Sequence, residues 1–391
     1  MWLDQSPRDK SRMALKVLIA PDKFKGTLTA RAAAEAMAKG WRKARRADAI
    51  ELLPMSDGGD GFGAVMGELA DAKIQTVRTV DAAHRPCPAR WWWEAKTKTA
   101  IIESAGVIGL AQLPPGKFHP FKLDTFGLGK VIRAAAAKGA RRCLIGIGGS
   151  ATNDGGFGMA CALGWEFLDG DGHGIGSWTE LYRLAELRAP KRRRLFEEMI
   201  VAVDVQNRLL GKYGCTRIYG PQKGLRPEDF PVAERNLRRL AAVVKKDLKH
   251  DYASEPGAGA AGGLGFGLRA FAGAKLRPGF ELFARQAQLE RRIRTADLVI
   301  TGEGAIDDST LMGKGVGQLA RMCAKLKRPC LGLAGIVSAQ KRAEGFFDET
   351  RGLTDLTAVE NAKKRPAFWL ERLAAQAARE WGEKINGNKS Q

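Results

Sequence analysis

Short apolar runs alternate along the chain with alanine-rich stretches of helical period. "KVLIA" precedes "TARAAAEAMAKGW", "CLIGIGG" precedes "MACALGW", and "ADLVIT" is followed by "VGQLARMCAKL" and then "PCLGLAG". "MIVAVD", ending at Asp204, is a further run of the same kind. None of these runs alternates apolar with polar, so each reads as a strand covered on both faces. Strands of that kind separated by helices predict an α/β fold with mainly parallel pairing.

The texture changes between Val77 and Leu110, where "VRTVDAAHRPCPARWWWEAKTKTAIIESAG" has β-prone pieces and prolines but no helical period. A β-rich segment with mixed or antiparallel pairing is expected there. Residues 91–93, three tryptophans in a row, alternate faces if they lie on a strand, so they read as packing groups and not as a stacking platform. The stretch Ala233–Leu248 places Leu237, Leu240, Ala241, Val244 and Leu248 on one helical stripe, with Arg238, Arg239, Lys245 and Lys246 elsewhere on the wheel. "RPAFWLERLAAQAAREWGEKI" repeats the pattern with Trp369, Leu373, Ala377 and Trp381, and "NGNKSQ" after it is expected to fray.

With 391 residues, the chain is long enough for two or three cores. No apolar run approaches the roughly 20 residues that span a bilayer. Residues 1–13 read as an N-terminal extension without a signal peptide's apolar region, and a cytoplasmic protein is expected. The six cysteines have no C-x-x-C spacing and only four histidines to partner them, which argues against a zinc site and a disulfide framework. A formal net charge of +21 raises the question of nucleic acid. The basic clusters "WRKARR", "KRRR" and "RRIR", however, lack interleaved aromatics and fall on different expected helices, so they read as solvated faces and no specific nucleic-acid partner is expected.

Acidic residues recur just after the apolar runs: Asp22, Asp57, Asp154, Asp204, Glu303 and Asp307. Ligands of open parallel sheets bind beyond the carboxyl ends of the strands, so these side chains are candidates to converge. Glycine-rich loops stand beside them in "PMSDGGDGFG", "GIGGSATNDGG" and "PGAGAAGGLGFG", and Lys25, Lys223 and Lys314 lie in glycine-flanked turns. Bare backbone, a lysine and carboxylates that can hold a metal are what phosphoryl transfer requires. No Walker A sequence and no protein-kinase signature set is present. Gly146, Gly148 and Ala151 also fit G-x-G-x-x-A, with Glu166 and Asp169 near the spacing of a ribose-binding acid, so an NAD(P)-dependent dehydrogenase is the rival reading. Against it, Asn153 and Asp154 interrupt the glycine turn where a phosphate would sit.

Taken in order, "VLIAPDKFKGTLTA", "LPMSDGGDG", "TAIIESAGVIGL", "GIGGSATNDGGFGM", "VAVDVQNRLLG", "YGPQKG", "PGAGAAGGLG" and "ADLVITGEGAIDDSTLMGK" closely resemble the bacterial two-domain glycerate kinase family. The resemblance implies ATP-dependent phosphorylation of D-glycerate, with 2-phosphoglycerate as the favoured product and Mg²⁺ accompanying ATP. It implies a flavodoxin-like α/β domain built from residues 14–60 and 280–385, and an inserted restriction-endonuclease-like α/β domain at 61–279. The active site is expected between them. The chain departs from the family pattern at Gln206 (in "DVQN"), at Leu128 in "DTFGLGK", where Thr125 is kept, and at Ala305 and Ser309.

The assignment expected for such a site makes Asp204 the base or hydroxyl-orienting group and Lys25 and Lys223 the neutralising cations. Asp57 and Asp154 would associate with Mg²⁺. Asp22, Gly148, Gly149, Ser150, Thr152, Asn153, Gly262 and Gly263 would line the substrate and phosphate, with Glu303, Asp307 and Lys314 on the nucleotide side. The bland reading of each carboxylate is a loop-fixing acceptor of backbone N–H groups.

Overall fold

A computed structural model describes residues 14–311, 315–338 and 345–387. The expected N-terminal extension, Lys314 and the last four residues of "NGNKSQ" lie outside them. The described residues divide into two units, one of residues 14–55 with 287–387 and the other of residues 56–286. Fifteen strands are present among them: β1 Lys16–Ile19, β2 Ala49–Leu52, β3 Lys73–Val80, β4 Pro86–Glu94, β5 Thr99–Glu103, β6 Arg142–Gly146, β7 Glu166–Leu168, β8 Glu186–Arg188, β9 Glu198–Ala202, β10 Lys275–Arg277, β11 Leu298–Thr301, β12 Ala305–Ile306, β13 Cys330–Ala334, β14 Ile336–Val337 and β15 Glu349–Gly352.

The first unit carries a five-stranded sheet in the order β15-β13-β11-β1-β2 with every pairing parallel. Renumbered within the unit, this is the 2-1-3-4-5 order of flavodoxin-like sheets. β11 and β13 are buried at every position, as their unbroken apolar runs require. The helix Ala30–Ala44 starts at Thr29, whose side chain accepts from Ala32 N. It buries Ala33, Ala34, Met37 and Trp41 against the helix Pro366–Gly387, which contributes Leu370, Leu373, Ala374 and Ala377 to the same core. Gly40 marks their closest approach: a Cβ there would lie 2.0 Å from the Glu371 carbonyl oxygen. "WRKARR" is only partly a solvated face, because Arg45 is buried and donates to Asp48 at 2.6 Å.

The second unit holds a mixed sheet in the order β10-β9-β6-β5-β4-β3. Its β3, β4 and β5 form the antiparallel part, as the texture of that segment predicts, while β5, β6, β9 and β10 run parallel. On β4, Trp91 and Trp93 face one way, edge to face with ring centroids 6.4 Å apart, and Trp92 faces the other. Trp92 packs on Gly63 and Gly67 of the helix Phe62–Leu69, where a Cβ at either glycine would overlap the indole. The amphipathic helix predicted at 233–248 spans Phe230–Leu248 and buries Leu237, Leu240 and Val244. "KRRR" at 191–194 does not form a helix: with Pro190 before it, it lies in the connection from β8 to β9. Among the described residues no helix is long and apolar enough to cross a membrane.

The register of the four parallel strands positions the candidate site. Glu103 pairs with Gly146, Gly146 with Ala202, and Ala202 with Arg277, so the carboxyl ends of β5, β6, β9 and β10 form one row. The loops carrying residues 147–156, 203–214 and 278–279 leave that row side by side.

Candidate active site

In the larger unit, Asp204 follows β9 and its Oδ1 accepts from Gly279 N at 2.9 Å. A Cβ on Gly279 would meet the Asp57 carbonyl at 1.9 Å and Asp204 Oδ2 at 2.7 Å, so only glycine lets these segments close together. Protein crowding, the Asp57 charge and, more weakly, the Glu281 charge push the Asp204 carboxyl up to about 7, against the Gly279 and Phe280 N–H groups. The residue still presents an exposed edge to solvent. Asp57 Oδ1 accepts from Gly59 N at 3.3 Å, within a turn of its own loop.

That loop is held by a carboxylate missing from the expected site. Glu103, at the end of β5, accepts from Gly61 N at 3.0 Å and Gly63 N at 2.9 Å. It satisfies N–H groups that the start of the helix Phe62–Leu69 would leave open. Its signal was in the sequence, an acid closing the apolar run "TAII", the same cue that marks the other acids.

Lys223 ends the helix Cys215–Lys223 and is buried, with 6% of its surface exposed. Its Nζ donates to Thr152 O at 2.6 Å and Ser150 Oγ at 3.1 Å, both uncharged acceptors. Among the described residues no carboxylate lies within ion-pair distance of it. Burial pulls its ammonium down to about 8, with Cys215 and Asp154 opposing. Asn153 Nδ2 donates to Thr216 Oγ1 at 3.1 Å, while Asn153 Oδ1 and Thr152 Oγ1 are buried without a hydrogen-bond partner among the described residues. A buried cation surrounded by neutral acceptors, with polar atoms still unmatched beside it, has the chemistry to accept an anion bearing hydroxyls.

Asp154, expected beside Mg²⁺, has its carboxylate engaged by the protein itself. It is wholly buried, its Oδ2 accepts from Thr125 N (3.0 Å), Thr125 Oγ1 (2.7 Å) and Gly158 N (3.0 Å), and its Oδ1 accepts from Gly156 N (3.2 Å). Burial and the nearby Asp124 charge raise its carboxyl to about 6. With both oxygens engaged by its own loop and by Thr125, it fixes the loop. Asp154→Ala is expected to cost about 2–5 kcal/mol of stability by leaving several buried donors unpaired, measurable as a lower urea midpoint.

The glycines also differ from expectation. Gly148 N donates to Gly58 O at 3.0 Å and Gly263 N to Gly259 O at 3.3 Å, so neither N–H is available to a phosphate. A Cβ on Gly148 would stand 2.6 Å from the Gly59 Cα, and one on Gly149 2.4 Å from Asp60 Oδ1. Gly262, at φ +71°, would drive a Cβ to 1.9 Å from Thr152 O. These glycines pack loop against loop around Ser150–Asn153. The same contacts remove the dinucleotide reading, because Gly146 and Gly148 face the 58–62 segment. Glu166 pairs with Arg188 across a small hairpin, and Asp169 accepts from Arg183 and from the N–H groups of Asp171 and His173.

The smaller unit has its own cluster. Asp22 follows β1, and its N–H donates to Gly302 O, after β11, at 2.8 Å. Glu303 is buried and accepts from Thr310 Oγ1 at 2.7 Å, while Asp307 N donates to that hydroxyl at 3.2 Å. Lys25 is exposed on the turn after β1. Of the family departures, Leu128 is fully buried in the core, and Asn207 beside Gln206 accepts from Tyr219 Oη at 2.6 Å and donates to Tyr213 O at 2.8 Å.

Residues 17–382 match a family model described as the glycerate kinase family. The glycerate kinase of Bacillus subtilis (strain 168) is 35% identical over 373 residues, covering 93% of this chain and 97% of the relative. The glycerate 2-kinase of Escherichia coli (strain K12) is 37% identical over 324 residues, 82% of this chain and 85% of that one. A crystal structure described as glycerate kinase 2 of Salmonella typhimurium LT2 superposes with a TM-score of 0.80 at 34% identity, covering 97% of this chain and 100% of that one.

Proposed function

This chain belongs to the glycerate kinase family and is a phosphotransferase acting on glycerate, and on that footing we propose that it moves the γ-phosphoryl group of ATP to the 2-hydroxyl of D-glycerate. The glycerate oxygen attacks the γ-phosphorus, the bond to the bridging oxygen of ADP breaks, and Asp204 takes the hydroxyl proton. The observation that supports this reading is Lys223, a buried cation with no carboxylate partner among the described residues, whose charge would offset that of substrate and phosphoryl group. Ser150, Thr152 and Asn153 orient the substrate through the hydroxyl and amide oxygens that cluster beside it. Lys25 is the second neutralising cation, and Asp22, Glu303 and Asp307 belong to the nucleotide side.

A magnesium ion fits Asp57 better than Asp154. Asp57, whose carboxylate accepts one long backbone bond at 3.3 Å, would hold a divalent cation as a hard oxygen donor, leaving Asp204 to take the proton. Such an ion supplies charge neutralisation to the nucleotide phosphates.

Incubation with Mg·ATP and D-glycerate, followed by proton-coupled phosphorus NMR, tests the reading. The expected product is a phosphate ester whose signal is a doublet, because phosphorus on the 2-oxygen couples to one proton. A triplet would move the reaction to the 3-hydroxyl, and absence of glycerate-dependent ADP would remove the reading. The E. coli relative, a glycerate 2-kinase by name, supports the doublet.

A further inference from the structure

A groove of about 400 Å³ lies on the larger unit between the turn at Gly211–Lys212, at the far end of the loop after β9, the first turn of the helix Cys215–Lys223 and the helix Phe230–Leu248. Its walls carry Lys212, Arg217, Arg235 and Arg238, and Glu234 is among the residues that line it. Two of the guanidiniums are held over aromatic rings, Arg217 above Phe230 at 5.8 Å and Arg235 above Tyr182 at 4.6 Å from the ring centroids. Such stacking fixes planar donors in place before a ligand arrives.

Glu234 sets this groove apart from an ordinary basic surface. It is 6% exposed, its Oε2 accepts from Gly211 N at 3.4 Å and lies 3.9 Å from Arg238, and its Oε1 is buried with no hydrogen-bond partner among the described residues. A buried carboxylate oxygen without a donor is costly, and a donor on a bound molecule would satisfy it. Four cations and one waiting acceptor match a small molecule with phosphate or carboxylate groups together with a hydroxyl.

We propose that this groove is a second binding site of the chain, for a phosphorylated hydroxy acid, distinct from the site built around Lys223. The anionic groups engage Arg217, Arg235, Arg238 and Lys212, and a hydroxyl donates to Glu234. The helix Cys215–Lys223 links the two sites: Arg217 in its first turn faces the groove and Lys223 at its end faces the candidate active site, about 9 Å further along the axis. Occupation of the groove therefore bears on the position of Lys223. The proposal stands on the groove alone and does not depend on which hydroxyl the enzyme phosphorylates.

The test is calorimetric titration of the full chain with 3-phosphoglycerate, for the wild type, for Lys223→Met and for the double variant Arg217→Ala/Arg238→Ala, at constant ionic strength. The groove component is expected to persist in Lys223→Met and to weaken by at least about tenfold in the double variant, which loses two charge-assisted contacts. The double variant should keep the wild-type melting temperature and the wild-type rate with D-glycerate when no phosphoglycerate is added. An unchanged isotherm in the double variant, or loss of all binding in Lys223→Met, overturns the proposal. Equal competition by sulfate at the same concentration would show a general anion surface and overturn the assignment to a hydroxy acid. Failure of the functional reading shows elsewhere, as absence of glycerate-dependent ADP in the wild type.

Discussion

Asp204→Asn is expected to lower turnover by about two to four orders of magnitude while the protein stays folded, the range lost when a positioned general base is removed. The amide keeps an oxygen for Gly279 N, so the loop after β9 holds its shape, but it cannot take the hydroxyl proton. The wild-type rate should rise with pH through about 7, where the crowded carboxyl beside Asp57 ionises, and the residual rate of the variant should lose that step. Stability runs the other way. Both Asp204 and Asp154 hold their protons to higher pH in the folded chain, to about 7 and about 6, than the ordinary value of 3.8. Their contribution is therefore fully present below about pH 4 and is lost as pH rises through 6 to 7. A urea midpoint that falls across that window without added divalent cation, with the Asp204 part absent in Asp204→Asn, is the expected measurement. Turnover of the variant within a few-fold of wild type would remove Asp204 from the chemistry.

The second large effect is at Lys223. Replacing it with methionine should reduce turnover by about two to three orders of magnitude, comparable to losing a donor aimed at developing charge. Stability should stay level or increase, because the apolar side chain no longer carries an uncompensated charge into the interior. Ser150 Oγ and Thr152 O lose a donor, which offsets part of that gain. The pairing of lost activity with kept stability separates a ligand-binding lysine from one that merely braces the loop, whose removal would lower both.

Much of this arrangement was legible in the sequence because the signals were periodic. Unbroken apolar runs gave β11 and β13, and the glycine and acid residues following β6, β9 and β11 marked the strand ends where the candidate groups lie. What was illegible is which of two uses a strand-end residue serves. Asp154 and Asp204 carry the same local signature, yet four donors fold around the first and two, both from the segment after β10, meet the second. The donors that distinguish them come from Thr125, and from Gly279 and Phe280, distant in the chain, so spacing alone does not report them. Gly148 and Gly263 read as a phosphate cradle because bare backbone permits close approach, but the approaching partner is another loop. Glu103 was missed for the opposite reason: its cue was ordinary, and its importance comes from the loop at Gly61–Gly63 that it holds.

Under the proposed function, glycerate phosphorylation depends on the buried ammonium of Lys223. The direct measurement is the initial rate of D-glycerate-dependent ADP release from Mg·ATP by wild type and Lys223→Met, with thermal unfolding recorded on the same samples. The expected result is a rate at least about a hundredfold lower in the variant at an equal or higher melting temperature. An unchanged rate, or a rate that falls only as far as the folded fraction does, would contradict it.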